Sequence, residues 1–413
     1  MKSLALKHVG SLLLLSLIPA LLSAAELGER AVEFDGFGTL GLVWTDLEQA
    51  DFTASSLKPG SAGYTRSVSG DVDSLLGGQM SVQFSERLSG IVQVIAEKNP
   101  GDDYAPHVEW LNLQYEISPG FSLSLGRTVI PSFLVSNYRK VGIATPWLRP
   151  PVELYDMVPI TTSDGIGARL QTSLGEAFSV LELTYGVNDS EVASGTDLKI
   201  RDGWGITETL EFGAWTLHGS IHGATINISS FTPLFDGFRG FGAVGQAIAE
   251  TYDPNGEQYY YFGLAASYDP GDWFVLGELG HAQSDSILNE RYAAYLTAGI
   301  RAGSLTPYLT LATTSEAQHE PPLLDTGGLP PALAATAQAL NTNLRDSARD
   351  RPNQTTGSLG LRWTLNSRAA LVFEYSHTDL GADSSGTLIN EQPGFEPGGS
   401  FNLFSAAVHF LFP

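Results

Sequence analysis

Segments of about ten residues in which apolar and polar side chains alternate recur along most of the chain. In 108–117, VEWLNLQYEI, the apolar residues Leu111, Leu113, Tyr115 and Ile117 share one face of an extended strand and polar residues occupy most of the other. Repeated strands with one apolar and one polar face are typical of a sheet whose two sides meet different solvents. A transmembrane barrel and a soluble β-sandwich both have this property.

The pattern predicts about sixteen strands, an even number as in bacterial barrels. Eighteen strands remain an alternative if one long loop contains a further hairpin. The predicted strands are 32–45, 74–84, 90–98, 107–117, 121–130, 165–172, 178–186, 203–211, 215–227, 257–268, 273–283, 291–301, 306–315, 355–365, 369–378 and 400–412.

The spacing of the turns favours the barrel over the sandwich. Short turns such as SPG and DPGD alternate with long polar loops, as they do when the two rims of an outer-membrane barrel differ. The long loops are 46–73, 187–202, 228–256 and 316–354, of which 228–256 and 316–354 are expected to be extracellular. Within them, 233–249 and 330–349 have helical patterns. We therefore predict an all-β fold, a transmembrane antiparallel β-barrel.

The chain begins with a segment that has the layout of a secretory signal peptide. Lys2 and Lys7 precede an apolar run, and small residues follow it, so we predict cleavage after Ala25. Residues 26–413 would then form the barrel. No later apolar run is long enough for a transmembrane helix.

Composition excludes several classes of function. The chain has 22 Lys and Arg against 45 Asp and Glu, a formal net charge of −23, and removal of 1–25 makes it more acidic because two lysines are lost. This balance argues against nucleic-acid binding and indicates a preference for cations or neutral solutes. The chain has no cysteine, which excludes disulfides and thiolate metal sites.

No cofactor, metal or catalytic activity is expected. His218 and His222 are four residues apart, but on a strand this spacing separates them by roughly 13 Å, too far to share one ion. Nothing matches the G-x-S-x-G nucleophile elbow of hydrolases. We expect both histidines to be polar residues of the lumen wall.

The last segment, FNLFSAAVHFLFP, alternates Phe404, Ala406, Val408, Phe410 and Phe412 on one face. It resembles the C-terminal strand of Gram-negative outer-membrane proteins, although the final aromatic is followed here by Pro413. This resemblance implies that 400–412 is bound by the barrel-assembly machinery. With the signal peptide and the strand pattern, the whole chain resembles the general bacterial porin family.

The porin resemblance implies an inward-folded constriction loop, a homotrimer, and contact with outer-membrane lipid and lipopolysaccharide. The third long loop, 131–164, contains ATPWLRPPVELYDMVP and is our candidate for the constriction. The preceding SLGRTV resembles the porin segment whose arginine faces the lumen. Strict alternation places Arg127 with Leu123 and Leu125 on the lipid face, so we expect either a rim position or, preferably, a bulge at Gly126.

Charged and aromatic residues of the loop and wall are the candidates for the site. A loop carrying acids opposite basic wall residues would set up a transverse field, as the porin resemblance implies. The candidates for the pore constriction are Arg127, Arg139, Lys140, Arg149, Glu153, Asp156, Asp164, Arg169, Arg301 and Arg362. The candidates for stacking against a solute are Tyr138, Trp147 and Tyr155.

The expected function is passive diffusion of small hydrophilic solutes and ions through a water-filled channel in the outer membrane. Two alternatives remain. One is a channel specific for a sugar or another small nutrient, with the three aromatics as a stacking surface. The other is a structural or adhesive barrel with a plugged lumen.

Overall fold

The computed structural model describes residues 31–59, 62–192, 195–317, 320–349 and 351–413. The predicted signal peptide lies outside the described residues. The strands are β1 (Val32–Thr45), β2 (Asp51–Phe52), β3 (Ala62–Gly63), β4 (Val68–Ser69), β5 (Leu75–Gln83), β6 (Leu88–Glu97), β7 (His107–Ser118), β8 (Phe121–Val129), β9 (Thr162–Leu174), β10 (Ala177–Glu191), β11 (Asp197–Phe212), β12 (Trp215–Ile228), β13 (Glu257–Tyr268), β14 (Trp273–Ser284), β15 (Glu290–Ile300), β16 (Leu305–Glu316), β17 (Gln354–Asn366), β18 (Ala369–Leu380) and β19 (Ser400–Phe412).

Sixteen of these strands, β1 and β5 to β19, form one closed antiparallel barrel. Each pairs with its neighbours in the chain, and β1 closes the ring against β19 from Gly36↔Phe412 to Thr45↔Leu403. Closure leaves no free sheet edge, which a hydrocarbon environment requires. All sixteen predicted barrel strands are confirmed.

Side chains alternate between an outer apolar surface and the lumen, as β16 illustrates. Leu309 and Leu311 are 51% and 55% exposed on the outside, whereas Tyr308 and Thr310 are buried inside. The same holds for β7, where Leu111 and Leu113 are exposed on the outer surface. An outer band of exposed leucine, isoleucine and aromatic side chains is the surface that a bilayer covers.

The two rims differ as predicted. Turns such as 175–176 and 213–214 lie on one rim, and the other carries long connections that include 46–74, 130–161, 229–256 and 317–353. We call them the short-turn rim and the long-loop rim. The predicted loop 187–202 is wrong, because β10 runs to Glu191 and β11 begins at Asp197, which leaves a short hairpin turn.

Among the described residues, the long loops contain the α-helices α1 (Val152–Tyr155), α2 (Thr232–Arg239), α3 (Gly242–Tyr252) and α4 (Pro331–Arg349). The helical patterns at 233–249 and 330–349 are thus confirmed. Helices α2 to α4 share an apolar core that includes Phe235, Phe238 and Leu344. None of the described helices is long and apolar enough to cross a membrane, which says nothing about the strands of a barrel.

Depth in the membrane should decide the cost of a charge on the outer face. Leu311 lies near the middle of β16, and Ser315 lies on the same face close to the long-loop rim. We expect Leu311→Arg to lower the free energy of unfolding by about 2–4 kcal/mol and Ser315→Arg by about 1 kcal/mol or less, because hydrocarbon cannot solvate a guanidinium. Urea unfolding in phospholipid vesicles measures both. Equal effects would show that this face does not contact lipid.

Candidate functional site

The connection between β8 and β9, residues 130–161, folds into the barrel. Its backbone accepts hydrogen bonds from the wall, from Ser220 Oγ to the Ser132 carbonyl (2.7 Å) and from Tyr259 OH to the Met157 carbonyl (3.0 Å). Since β12 and β13 lie far from β8 around the ring, the loop must cross the lumen. The last residues of the predicted constriction loop, 162–164, belong to β9.

Aromatic packing holds the loop against one side of the wall. Phe133 lies 4.4 Å from Tyr155 and 5.4 Å from Tyr261 between ring centroids, and Trp147 packs edge-on against Tyr295 at 5.6 Å. These rings belong to an apolar cluster that joins the loop to β13, β14, β15 and β16. The open part of the lumen therefore lies on the opposite side, next to the wall from β5 to β10.

This packing corrects the stacking hypothesis. Trp147 is 1% exposed and donates its Nε1–H to Thr297 Oγ1 at 2.8 Å, and Tyr155 is 7% exposed. Neither ring can meet a passing solute, because both are used to fix the loop. Only Tyr138, which is 39% exposed, keeps a free face.

Glu278, in the middle of β14, is the point to which the loop and wall are bound together. It accepts hydrogen bonds from the hydroxyls of Tyr155 (2.6 Å) and Tyr295 (2.5 Å) and from the backbone N–H of Leu134 (2.9 Å). Sequence reasoning missed this residue. One signal in the sequence could have identified it. Glu278 is an acid within a mostly apolar strand, and a buried carboxylate without a hydrogen-bond partner would cost free energy, so partners were to be expected.

Two further predicted residues serve the loop rather than a solute. Arg362 faces the lumen and donates to the carbonyls of Gly142, Ile143 and Thr145 at 2.8–3.2 Å. Glu153 is 2% exposed and accepts hydrogen bonds from Gln354 and Thr356. Both face inward, but they hold the loop in place and do not contact open space as free charges.

Arg149 anchors the loop to the opposite wall. Its guanidinium makes two hydrogen bonds to Asp73, at 2.7 and 2.6 Å, and a third to Ser405 Oγ at 2.9 Å. Burial alone would lower the pKa of Arg149, but the Asp73 carboxylate outweighs it and raises that pKa. The loop therefore carries a permanent positive charge at this contact.

Lys140 makes the second charged anchor. Its ammonium lies 2.7 Å from Glu97 Oε1 and 2.9 Å from Glu109 Oε2, which come from β6 and β7. Burial acts to lower the pKa of Lys140, and the two carboxylates raise it overall. The group stays charged, and Lys58 neutralises the second oxygen of Glu97 at 2.7 Å.

A cavity of about 460 Å³ remains between the loop and the wall from β5 to β10, and we call it the passage. Arg139 borders it with no ion-pair partner among the described residues, and burial lowers the pKa of this guanidinium. The charged residues that line the passage are Lys58, Lys98, Arg127, Arg139, Lys140, Arg149, Asp73, Glu97, Glu109, Asp189 and Glu191.

Arg127 borders the passage, but not by the route predicted. The pairing of β8 with β7 and β9 continues through Gly126 without a shift in register, so the expected bulge is absent. Gly126 has a φ of +126°, and a Cβ there would lie 2.2 Å from the Leu111 carbonyl. Arg127 lies close to the long-loop rim, where two 2.7 Å hydrogen bonds to Asp164 neutralise it.

The remaining predicted residues lie apart from one another. Asp156 accepts a hydrogen bond from the Ser56 N–H (2.8 Å), and burial raises its pKa. Arg169 faces the lumen 3.8 Å from Glu182. Arg301 pairs with Asp269 in a turn of the short-turn rim, so its predicted place in the constriction is wrong. In the described part of the chain no cluster of His, Asp and Glu could hold a metal ion.

The Arg149 anchor should be the most costly one to break. Asp73 is nearly inaccessible, so Arg149→Met leaves a buried carboxylate unpaired and should lower the free energy of unfolding by about 3–5 kcal/mol. Adding Asp73→Asn should recover much of this loss. Arg169→Met, whose ion pair is half exposed, should cost at most about 1 kcal/mol. Urea unfolding in vesicles tests all three, and equal costs for Arg149→Met and Arg169→Met would contradict the anchor.

Comparison with known proteins places the fold. No protein-family model matches the sequence, and no curated protein sequence matches it significantly. Solved structures do match. The anion-selective porin from Comamonas acidovorans is 14% identical with a TM-score of 0.55, covering 93% of this chain and all of its own.

Two other solved structures agree at 11% identity and a TM-score of 0.53. They are Salmonella typhi OmpF, in complex with daunomycin, and the outer-membrane channel DcaP of Acinetobacter baumannii, each covering 92% of this chain and 97% of its own. The likeness of fold thus extends over nearly the full length of each chain. The chain has the fold of the outer-membrane porins.

Proposed function

We propose that the protein is an outer-membrane porin that admits small hydrophilic solutes and ions by passive diffusion, without catalysis. One observation carries the proposal: the inward loop is packed against one side of the wall and leaves a charge-lined passage on the other. A loop fixed by aromatic packing and buried ion pairs sets a constant width, which suits a filter. Charged linings of this kind exclude apolar solutes and keep water in the channel.

The lining charges favour weak selectivity. Six lysine and arginine side chains and five acids border the passage, so the acidic bias of the whole chain is absent there. Most of these charges are paired; among the described residues, Arg139 is the one lining cation and Glu191 the one lining acid without an ion-pair partner. We infer that the preference for cations expected from composition is small or reversed at the narrowest part.

The alternatives differ in how the passage behaves. The burial of Trp147 and Tyr155 weakens the hypothesis of a sugar-specific channel, because neither ring is free to stack against a sugar. A plugged structural barrel would have the same loop but no continuous path, so conduction separates it from a porin.

Assembly and location follow from the same proposal. We propose export through cleavage of the signal peptide, insertion by the barrel-assembly machinery acting on 400–412, and contact with lipid and lipopolysaccharide. The long-loop rim would face the cell exterior. We also propose a homotrimer, on the resemblance to porins.

Single-channel recording in planar bilayers tests the proposal. The wild-type protein should give ohmic steps, and no conductance at all would exclude both transport readings. In a salt gradient, Arg139→Gln should raise the cation-to-anion permeability ratio by about twofold to fourfold, since its unpaired positive charge borders the path. The matched control is Arg301→Gln, which lies outside the passage and should leave the reversal potential unchanged. Equal shifts would contradict the role of Arg139.

A further inference from the structure

A second cavity in the lumen, of about 370 Å³, has a lining unlike that of the passage. It lies towards the long-loop rim, between the end of the inward loop and the wall formed by β10 to β13. Apolar side chains dominate its surface, among them Met157, Ile160, Ile200, Ile226 and Tyr261. We call this cavity the side chamber.

The register of the strands places the wall residues Ile200, Ile226 and Tyr261 on the lumen face, where a porin wall is usually polar. Ile200 on β11 pairs with Ile226 on β12, and Leu198 pairs with Ile228. His222 lies on the same face of β12, two and four residues from Ala224 and Ile226. The wall therefore contributes its own apolar residues to the chamber, and the loop supplies Met157 and Ile160 on the facing side.

The side chamber adjoins the passage on one side and the helices of the long loops on another. Leu57, Pro159, Ile160 and Asn188 line both cavities, so the two adjoin. Leu288 lines the chamber and also packs against the apolar core of helices α2 to α4. The side chamber thus lies between the passage and the helices of the long loops.

His222 borders the side chamber with unused hydrogen-bonding capacity. The residue is 8% exposed, and neither ring nitrogen has a hydrogen-bond partner among the described residues. Its neighbour on the same face, His218, bonds Thr209 Oγ1 at 3.1 Å. A buried polar group without a partner costs free energy that a ligand can recover.

We propose that the side chamber binds a small solute with an apolar body, such as an aromatic ring, and one hydroxyl that bonds His222. Its volume lies in the range of small-molecule sites, roughly 300–1,000 Å³. Its volume also exceeds about 150 Å³, the volume of an apolar cavity engineered into another protein that is free of water and binds benzene. The barrel would then hold apolar solutes beside a path that admits polar ones.

The proposal depends on the porin function only for access, and the two fail separately. Conductance without binding would contradict the side chamber alone. Binding without conductance would contradict the porin alone.

The probes are 4-fluorophenol and fluorobenzene, followed by ¹⁹F NMR with the full barrel in nanodiscs. We expect saturable binding of both to the wild-type protein, above the linear partitioning into lipid. Ala224→Phe, which fills the chamber, should lower the affinity for both probes at least tenfold. His222→Leu should weaken 4-fluorophenol by about threefold to tenfold, the value of one neutral hydrogen bond, and leave fluorobenzene unchanged.

The matched control is His218→Leu, which removes a buried histidine from the same face of β12 outside the chamber and should change neither affinity. Linear uptake alone by the wild-type protein would overturn the proposal. Unchanged binding to folded Ala224→Phe would place the site elsewhere. Equal losses of 4-fluorophenol and fluorobenzene in His222→Leu would contradict the hydrogen bond.

Discussion

The structure depends on the need of every backbone amide in the wall to find its partner within the wall. Hydrocarbon offers no hydrogen bonds, so the strands must close, as β1 does on β19. Closure with sixteen strands produces a lumen wide enough to contain a segment of chain. The inward loop is possible only because this space exists, and its irregular, proline-rich backbone is tolerated at membrane depth only inside it.

Once the lumen is formed, the loop divides it by chemistry. Its aromatic side chains, Trp147 and Tyr155 among them, face the wall from β13 to β16. Its cations, Arg149 and Lys140, face the acids of β5 to β7. Apolar residues exclude water on one side, while charges hold water on the other, and the passage follows the second. The side chamber lies where the apolar surface reaches the edge of the passage.

The strands could be predicted from sequence because each one has one face towards lipid and one towards the lumen. Apolar and polar residues therefore alternate along it, as in 108–117. The hairpin at 187–202 was missed, because its alternation is the reverse of that in the other strands: Leu198 and Ile200 face the lumen, and the polar Lys199 faces outward. Arg127 shows another limit. The prediction preferred a bulge over a rim position as the way to avoid lipid, whereas the residue lies near the rim with a neutralising partner, Asp164, and no bulge.

The site was predictable in its residue types but not in its contacts. Arg362 and Glu153 face inward as expected, yet their partners are loop carbonyls and strand residues about 200 positions away in the chain. Alternation gives the face of a residue and not its partner. Trp147 and Tyr155 were assigned to a solute for the same reason, since nothing local distinguishes an aromatic that packs from one that is free. Glu278 was missed although two of its hydrogen bonds, from Leu134 and Tyr155, fasten the loop to the wall.

The anchors of the inward loop also have a mechanical consequence. The loop is tied to Asp73 and Glu97 on one side of the ring and to Glu278 and Thr297 on the other, so it acts as a strut across the diameter. A hollow cylinder is most easily flattened along a diameter, and a strut resists this deformation. Lateral pressure from the bilayer is thus borne partly by the loop, and the width of the path stays constant when membrane tension changes.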